Sequence, residues 1–433
     1  MLEQTTALEN NSSIMIISRS RTDWLYTAAI ILSAIAIVSS AFHFWPFEQS
    51  NIWQALCPSN LALWVWSILL TGYCFLKRFK FVGIFSLPHL SVFAYLGVNI
   101  LSVAFAPDLS RAVNFAIKLG LLLLGGFTLF SFAIRNIRSL NTIYASITLA
   151  AVISVSYCLV NRFALCSDKF GFFNSPYKYG TFIGTLAPLS SAYLFTGGKK
   201  WKILLGGAVV IGAFISSGSL GALASLVVGM STLILILPEW SLKFLVSATM
   251  LCGIGILLLL NTSPAVSPLR NDIKPLEKDG LNLKQRYIEW QAEINILEAR
   301  SITGTSAGCI NQYRSNFYYR LPKLNTLKPF DQNGWLATSA ETGLLGLVSL
   351  CWILTHYGKL AFCRLSNTMQ KLNNTIYRFA AINLAGFTAM SAANIFSSVH
   401  YNGILIVFVL VLALISRTTW IFGEQQNADN QNY

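Results

Sequence analysis

Between residues 283 and 341 the chain gathers the side chains best suited to chemistry. Leu283, Tyr287, Trp290, Ile294 and Leu297 recur at alternating spacings of four and three residues, which sets them on one narrow helical stripe. Beside it, Arg286, Glu289, Glu293 and Arg300 fall within an arc of about 60°, a row of alternating sign. An amphipathic helix on the outer face of a bundle or at a lipid interface accounts for both. The charged row has two readings. Either it is a salt-bridged face turned to solvent, or one or both arginines point into a cavity. There the planar guanidinium fork matches phosphate oxygens two at a time.

A break at Thr303-Gly304-Thr305-Ser306-Ala307-Gly308 precedes a stretch from Tyr313 to Arg320 in which aromatics alternate with Arg314 and Arg320. Such interleaving suits an interfacial belt, and equally a sugar-phosphate ligand. Phe330-Asp331-Gln332-Asn333-Gly334 then opens an apolar run that carries Glu341 about two turns inside. Asp331 or Asn333 can cap that helix by accepting a bond from a first-turn N–H. An ionisable group at membrane depth is costly, so Glu341 is a site candidate by default. The macrodipole, which favours a carboxylate near a helix N-terminus, is the competing explanation.

The rest of the sequence must position these groups, and its composition says how. Of 433 residues, 54% are hydrophobic and 11% charged, where a soluble domain carries roughly a quarter charged. Mean hydropathy is +0.57. With about 20 apolar residues per span, there is room for on the order of ten or more spans and one sizeable loop. A secreted domain, a nucleic-acid binder and a cytoplasmic enzyme are excluded. Apolar runs near 24–45, 61–77, 83–105, 112–134, 140–160, 179–196, 201–217, 219–237, 242–260, 334–357, 375–397 and 400–420 predict an all-α polytopic membrane protein of about twelve transmembrane helices. It carries one large helical extracytoplasmic loop.

The formal charge of +14 supplies the orientation. Most short-loop cations, from Arg19 and Arg21 through Lys77, Arg78 and Lys80 to Arg417, fall on one side, leaving Arg111, Arg162, Lys169 and Lys178 on the other. Both termini are therefore expected in the cytoplasm. The expected organisation is a cytoplasmic tail at 1–23, a transmembrane bundle of about nine helices at 24–260, a periplasmic loop at 261–332, transmembrane helices at 333–420 and a cytoplasmic tail at 421–433. The first run is read as a retained signal anchor, because Phe44-Trp45-Pro46-Phe47 follows it instead of small residues. The eight cysteines show no CxxC spacing and no acidic cluster has ligand spacing, so no metal and no cofactor are expected.

Four stretches together resemble the O-antigen ligase and polymerase superfamily of bacterial membrane glycosyltransferases. Phe170-Gly171-Phe172-Phe173-Asn174-Ser175-Pro176-Tyr177, leading through Gly180 to Pro188, looks like the family's Gly-Phe-Asn-Pro segment. Ser217-Gly218-Ser219-Leu220-Gly221-Ala222 is similar to its Ser-Arg-Gly-Ala turn, and Arg286, Trp290, Gly304 and Gly308 follow its Arg/Trp helix and glycine pair. Gln332-Asn333, nine residues, then Gly343-Leu344-Leu345-Gly346 keeps the spacing of its His-Asn and Gly-x-x-Gly elements. Leu220 stands where the family has arginine, and Gln332 where it has histidine.

The resemblance implies an inner-membrane protein that moves a glycan from an undecaprenyl-pyrophosphate carrier to an acceptor hydroxyl, on an acceptor glycan or on lipid A-core. Polymerase is favoured over ligase because that branch is less tied to the histidine. The barrier lies in expelling pyrophosphate, and Arg286, Arg314, Arg320, with Arg162 or Lys178, could stabilise the departing oxygens, with Trp290 beside them. Gln332 has no titratable proton near neutrality but can orient a hydroxyl. Glu341, or Asp331, is left as the proton acceptor. His43 and His400, at outer helix ends, are read as interfacial, the alternative being that one of them replaces the missing histidine, and His89 and His356 fall on or near the inner side. Two other readings stand beside this one: a non-catalytic homologue that binds lipid-linked glycan, and a small-anion transporter.

Overall fold

The computed structural model describes residues 24–41, 58–76, 88–161, 176–196, 199–217, 219–237, 239–262, 275–310, 333–369, 374–395 and 402–431, and every regular element among them is helical. In chain order the helices are α1 (Trp24–Ser40), α2 (Pro58–Leu76), α3 (Leu90–Ser102), α4 (Leu109–Ala133), α5 (Ile137–Leu159), α6 (Pro176–Thr196) and α7 (Lys200–Ser217). They continue with α8 (Leu220–Ile236), α9 (Trp240–Thr262), α10 (Pro275–Ala299), α11 (Gly334–Met369), α12 (Asn374–Ala393) and α13 (Asn402–Gln431). Each apolar run holds one of these helices, and α10 is the amphipathic addition.

Among the described residues, Leu109–Ala133, Ile137–Leu159, Lys200–Ser217 and Gly334–Cys363 are long and apolar enough to cross a membrane, and shorter apolar helices accompany them. The outward surface agrees. Leu204, Leu235 and Phe244 are 73%, 79% and 77% exposed, an arrangement that water penalises and lipid tails accept. The chain is a multi-pass helical membrane protein.

Packing centres on α6, which contacts α5, α7, α8, α12 and α13. Gly180 and Gly184, four apart, bring its backbone against Ala222 and Ser225 of α8 so closely that a β-carbon at either would collide. Small residues at this spacing are the usual device for close helix approach in lipid. The run Ile404–Ile415 of α13 is buried all round, as expected of an evenly apolar helix enclosed by others. Among the described residues, two sets of polar ties between helices are fully enclosed. The Tyr144 hydroxyl donates to Asn383 Oδ1, and Asn383 Nδ2 donates to Thr418 Oγ1 at 3.2 Å, joining α5, α12 and α13. Buried Arg417 donates through Nε to the Ile134 carbonyl at 3.0 Å.

Candidate functional site

The first half of α11 starts on a side-chain cap: Asn333 Oδ1 accepts from Trp335 N at 2.9 Å and Leu336 N at 3.3 Å. Two turns later the helix breaks. Gly343 has φ 70° and ψ −167°, which divides Gly334–Met369 into two helices. That backbone region is essentially restricted to glycine.

Freed peptide groups inside a membrane protein need partners, and here the turn that follows α10 supplies them. Leu344 N donates to the Ser301 carbonyl at 2.8 Å, and Thr305 N donates to the Ala340 carbonyl at 2.8 Å. Thr305 Oγ1 donates to the same Ala340 oxygen at 3.2 Å. The approach depends on glycine from both sides. A β-carbon on Gly304 (φ 63°) would strike the Glu341 carbonyl and lie 2.6 Å from Thr342 N, and one on Gly343 would strike the Ile302 carbonyl. The turn thus plugs the break and fixes the backbone of Glu341.

Glu341 is 5% exposed. Around it, α11 packs on α3 and is bonded to the turn that follows α10. Tyr95, Asn99 and Ser102 are spaced four and three apart on one stripe of α3, and all are buried. Within the stripe, Asn99 Nδ2 donates to the Tyr95 carbonyl at 2.8 Å. Ser102 Oγ accepts from Ala307 N at 3.2 Å, which seats the turn on α3. Cys309 Sγ donates to the Asp108 carbonyl at 3.9 Å, while Asp108 Oδ1 caps α4 by accepting from Arg111 N at 3.0 Å. Burial pushes the Cys309 thiol up from its ordinary range, a shift the Asp108 contact partly offsets. Between these contacts lies Ser306, buried, at φ 79° and with no partner for its hydroxyl among the described residues. Strain of this kind in a non-glycine residue gathers at functional sites.

α10 corrects one expectation from the sequence. Its buried face is Ile288, Glu289, Ala292, Glu293 and Ile296, with Glu289 2% and Glu293 0% exposed, whereas Tyr287 of the apolar stripe is 65% exposed. Trp290, Ile294 and Leu297 are half-buried. The helix packs against α11 with its charged row turned inward, and half-buried Arg300 ends that row. The reading of this row as a solvated face is therefore wrong. The side chain of Arg286 lies outside the described residues.

Of the other expected site residues, Lys178 is half-buried in the first turn of α6. Arg162, Arg314, Arg320, Asp331 and Gln332 lie outside the described residues, as do His43 and His400. His89 and His356 stack with ring centroids 3.4 Å apart, and His89 Nδ1 caps α3 by accepting from Ser91 N. Among the described residues, no group of three or more His, Cys, Asp or Glu could hold a metal ion. Sequence reasoning missed Tyr95, Asn99, Ser102, Ser306 and Thr338. The one signal available was the polar stripe at 95, 99 and 102 within an otherwise apolar run.

Residues 205–351, a third of the chain, match the family described as O-antigen ligase. The match supports membership of the O-antigen ligase and polymerase superfamily. It takes in the turn at Ser217–Ala222, the whole of α10, the glycine turn and the break in α11, and leaves out the stretch at 170–188. No curated protein matches the chain.

Proposed function

We propose that this protein transfers a glycan from an undecaprenyl-pyrophosphate carrier to an acceptor hydroxyl at the outer face of a bacterial inner membrane. Polymerisation of a surface polysaccharide is favoured over ligation to lipid A-core. Both termini lie in the cytoplasm, and segment 261–332 lies in the periplasm above about twelve spans. The observation that carries the reading is the O-antigen ligase match, whose C-terminal part encloses buried Glu341 at the glycine-pinned break.

In the proposed reaction the acceptor oxygen attacks the anomeric carbon as the bond from that carbon to the pyrophosphate oxygen breaks. The hydroxyl proton passes to the Glu341 carboxylate, or to Asp331, and Gln332 orients the hydroxyl. The electron pair leaves with the pyrophosphate. Arg286, Arg314 and Arg320, with Arg162 or Lys178, stabilise its developing charge, a contribution of several kcal/mol in a water-poor site. Trp290 lies beside the sugar. The half-buried Arg300 at the end of α10 supports a cationic group near this site.

Deleting the gene in its native host and separating the surface glycans by size tests the proposal. Single-unit products are expected for a lost polymerase, and accumulated carrier-linked chains for a lost ligase. An unchanged profile would remove the glycosyltransferase reading and leave the transporter or the non-catalytic homologue. A broken helix is a device carriers use, but the break in α11 lies two turns from its start and is filled by protein.

A further inference from the structure

The chain passes from α6 to α7 through Lys199-Lys200-Trp201-Lys202, residues for which the proposed transfer has no use. α7 starts here, with Lys202 N and Ile203 N donating to the Lys199 carbonyl at 2.9 and 3.2 Å. Lys199 and Lys200 are exposed, and Trp201 is 58% exposed. Lys202 Nζ stands 5.6 Å from the Tyr193 ring centroid and 5.7 Å from that of Trp201, within the range at which an aromatic face attracts an ammonium. One ring comes from each helix, and together they hold this charge in place. Little opposes the three lysines. None of them has an ion pair among the described residues, and the first turn of α7 carries no acidic residue. Glu239, the acidic group described at this end of the bundle, is taken by Arg378, whose Nη1 donates to the carbonyl of Thr196 at the close of α6 at 3.5 Å.

The same turn opens the outward side of α7. Trp201, Leu204 and Ala208, spaced three and four apart, are all exposed, Leu204 at 73%. In a membrane protein such a stripe faces lipid tails, and a tryptophan at its head marks the boundary with water. A ligand that meets this stripe and the lysines together must carry an anion on an apolar stem. We propose that Lys199, Lys200 and Lys202, with Trp201, bind the phosphate of an anionic phospholipid in the leaflet at this end of the bundle, with its upper acyl chain lying on Trp201 and Leu204. Each ammonium meets phosphate oxygens as a point charge. Lys202, already restrained between rings, loses less freedom on binding than a free side chain would. An acidic protein would use the cations but not the apolar stripe, so the lipid accounts for more of the surface. In the proposed orientation this leaflet is the cytoplasmic one, whose anionic lipids attract basic segments. The site is on the side opposite the proposed transfer and does not depend on it.

The test uses the full-length chain in detergent, titrated with water-soluble dioctanoyl-phosphatidylglycerol and followed by thermal melting. The melting temperature is expected to rise saturably with this lipid, and not with dioctanoyl-phosphatidylcholine or inorganic phosphate at the same concentrations. The Lys199→Gln, Lys200→Gln double variant changes only exposed side chains, so it should fold. Its half-saturating concentration should rise about tenfold, in line with the attraction of each basic group to an anionic surface. Lys202→Gln should also weaken binding, and Lys202→Arg, which keeps a cation over the rings, should restore it. The Arg138→Gln, Lys359→Gln double variant removes exposed cations elsewhere at the same end of the bundle and should leave half-saturation unchanged. Equal losses in the two double variants would overturn the site, because the attraction would then be diffuse. Equal responses to the two lipids, or a response that inorganic phosphate reproduces, would overturn it as well. So would lysine-dependent binding of polyglutamate with no response to phosphatidylglycerol, which would make the turn a surface for an acidic protein.

Discussion

Replacing Gly343 with alanine addresses the feature on which the site's geometry depends. At φ 70° and ψ −167° a residue with a β-carbon is strained by about 1–3 kcal/mol before it touches anything. The new carbon would also press into the Ile302 carbonyl and stand 2.8 Å from the Ser301 oxygen. Both obstacles are backbone, so relief requires the turn at 301–305 to lift. Lifting it breaks the bonds from Leu344 N to Ser301 and from Thr305 to Ala340. Buried groups left unpaired cost about 1–3 kcal/mol each. For the strain and two unpaired groups the sum is on the order of 3–9 kcal/mol. Gly72→Ala is the internal control, because nothing lies within 4 Å of the added carbon, and alanine in a helix is worth up to about 1 kcal/mol over glycine. Thermal melting of the detergent-solubilised chain, followed by tryptophan fluorescence, should place Gly343→Ala well below wild type and Gly72→Ala at or above it. Gly304→Ala should resemble Gly343→Ala, and the double variant should lose less than the two losses added, because both disrupt one contact. A Gly343→Ala protein that melts with Gly72→Ala and retains transfer would refute the plugged-break geometry.

Three further expectations can be checked directly. The Glu341→Gln, Asp331→Asn double variant should fold and lose transfer in the membrane assay; undiminished transfer would exclude both carboxylates as proton acceptors. Glu293→Ala should lower stability by about 3 kcal/mol, because the side chain is 0% exposed and its removal leaves a cavity in the packed face of α10, while Tyr287→Ser, on the 65% exposed position, should leave the melting temperature within about a degree. Equal effects would mean that α10 packs by its apolar stripe after all. Because burial raises the Cys309 thiol, its thiolate fraction at pH 8 is smaller than that of a free cysteine. Iodoacetamide labelling of this residue in the folded protein should accordingly be slow at pH 8, rising only at higher pH or on unfolding, and rapid labelling at pH 7 would contradict the packing of the turn on α4.

The helices were legible because a bilayer demands long apolar stretches, and the runs read from the sequence each hold one. The cap at Asn333 was legible for an equally local reason, since a short polar side chain ahead of an apolar run satisfies first-turn N–H groups. The break at Gly343 was not. Gly343-Leu344-Leu345-Gly346 lies inside the apolar run 334–357, which reads as one continuous helix, and only the arrival of the turn at 301–305 from elsewhere in the chain makes a left-handed backbone favourable there. Ser306 and the stripe of Tyr95, Asn99 and Ser102 were hidden for the same reason. Their role depends on contacts about 200 residues away in sequence, such as Ala307 with Ser102.

The inverted face of α10 shows how the solvent changes the meaning of a pattern. Periodicity locates two stripes on a helix but does not say which one the protein covers. In water the apolar stripe goes inward, because that is where area is removed from solvent. Beside a bilayer the apolar side has an acceptable neighbour outside, and the charged row is what must be sheltered. Glu289 and Glu293 are accordingly buried while Tyr287 faces outward. The acidic pair of α10, Glu289 and Glu293, is thereby enclosed on the side where Ile288, Ala292 and Ile296 are also buried, in a helix that packs on α11.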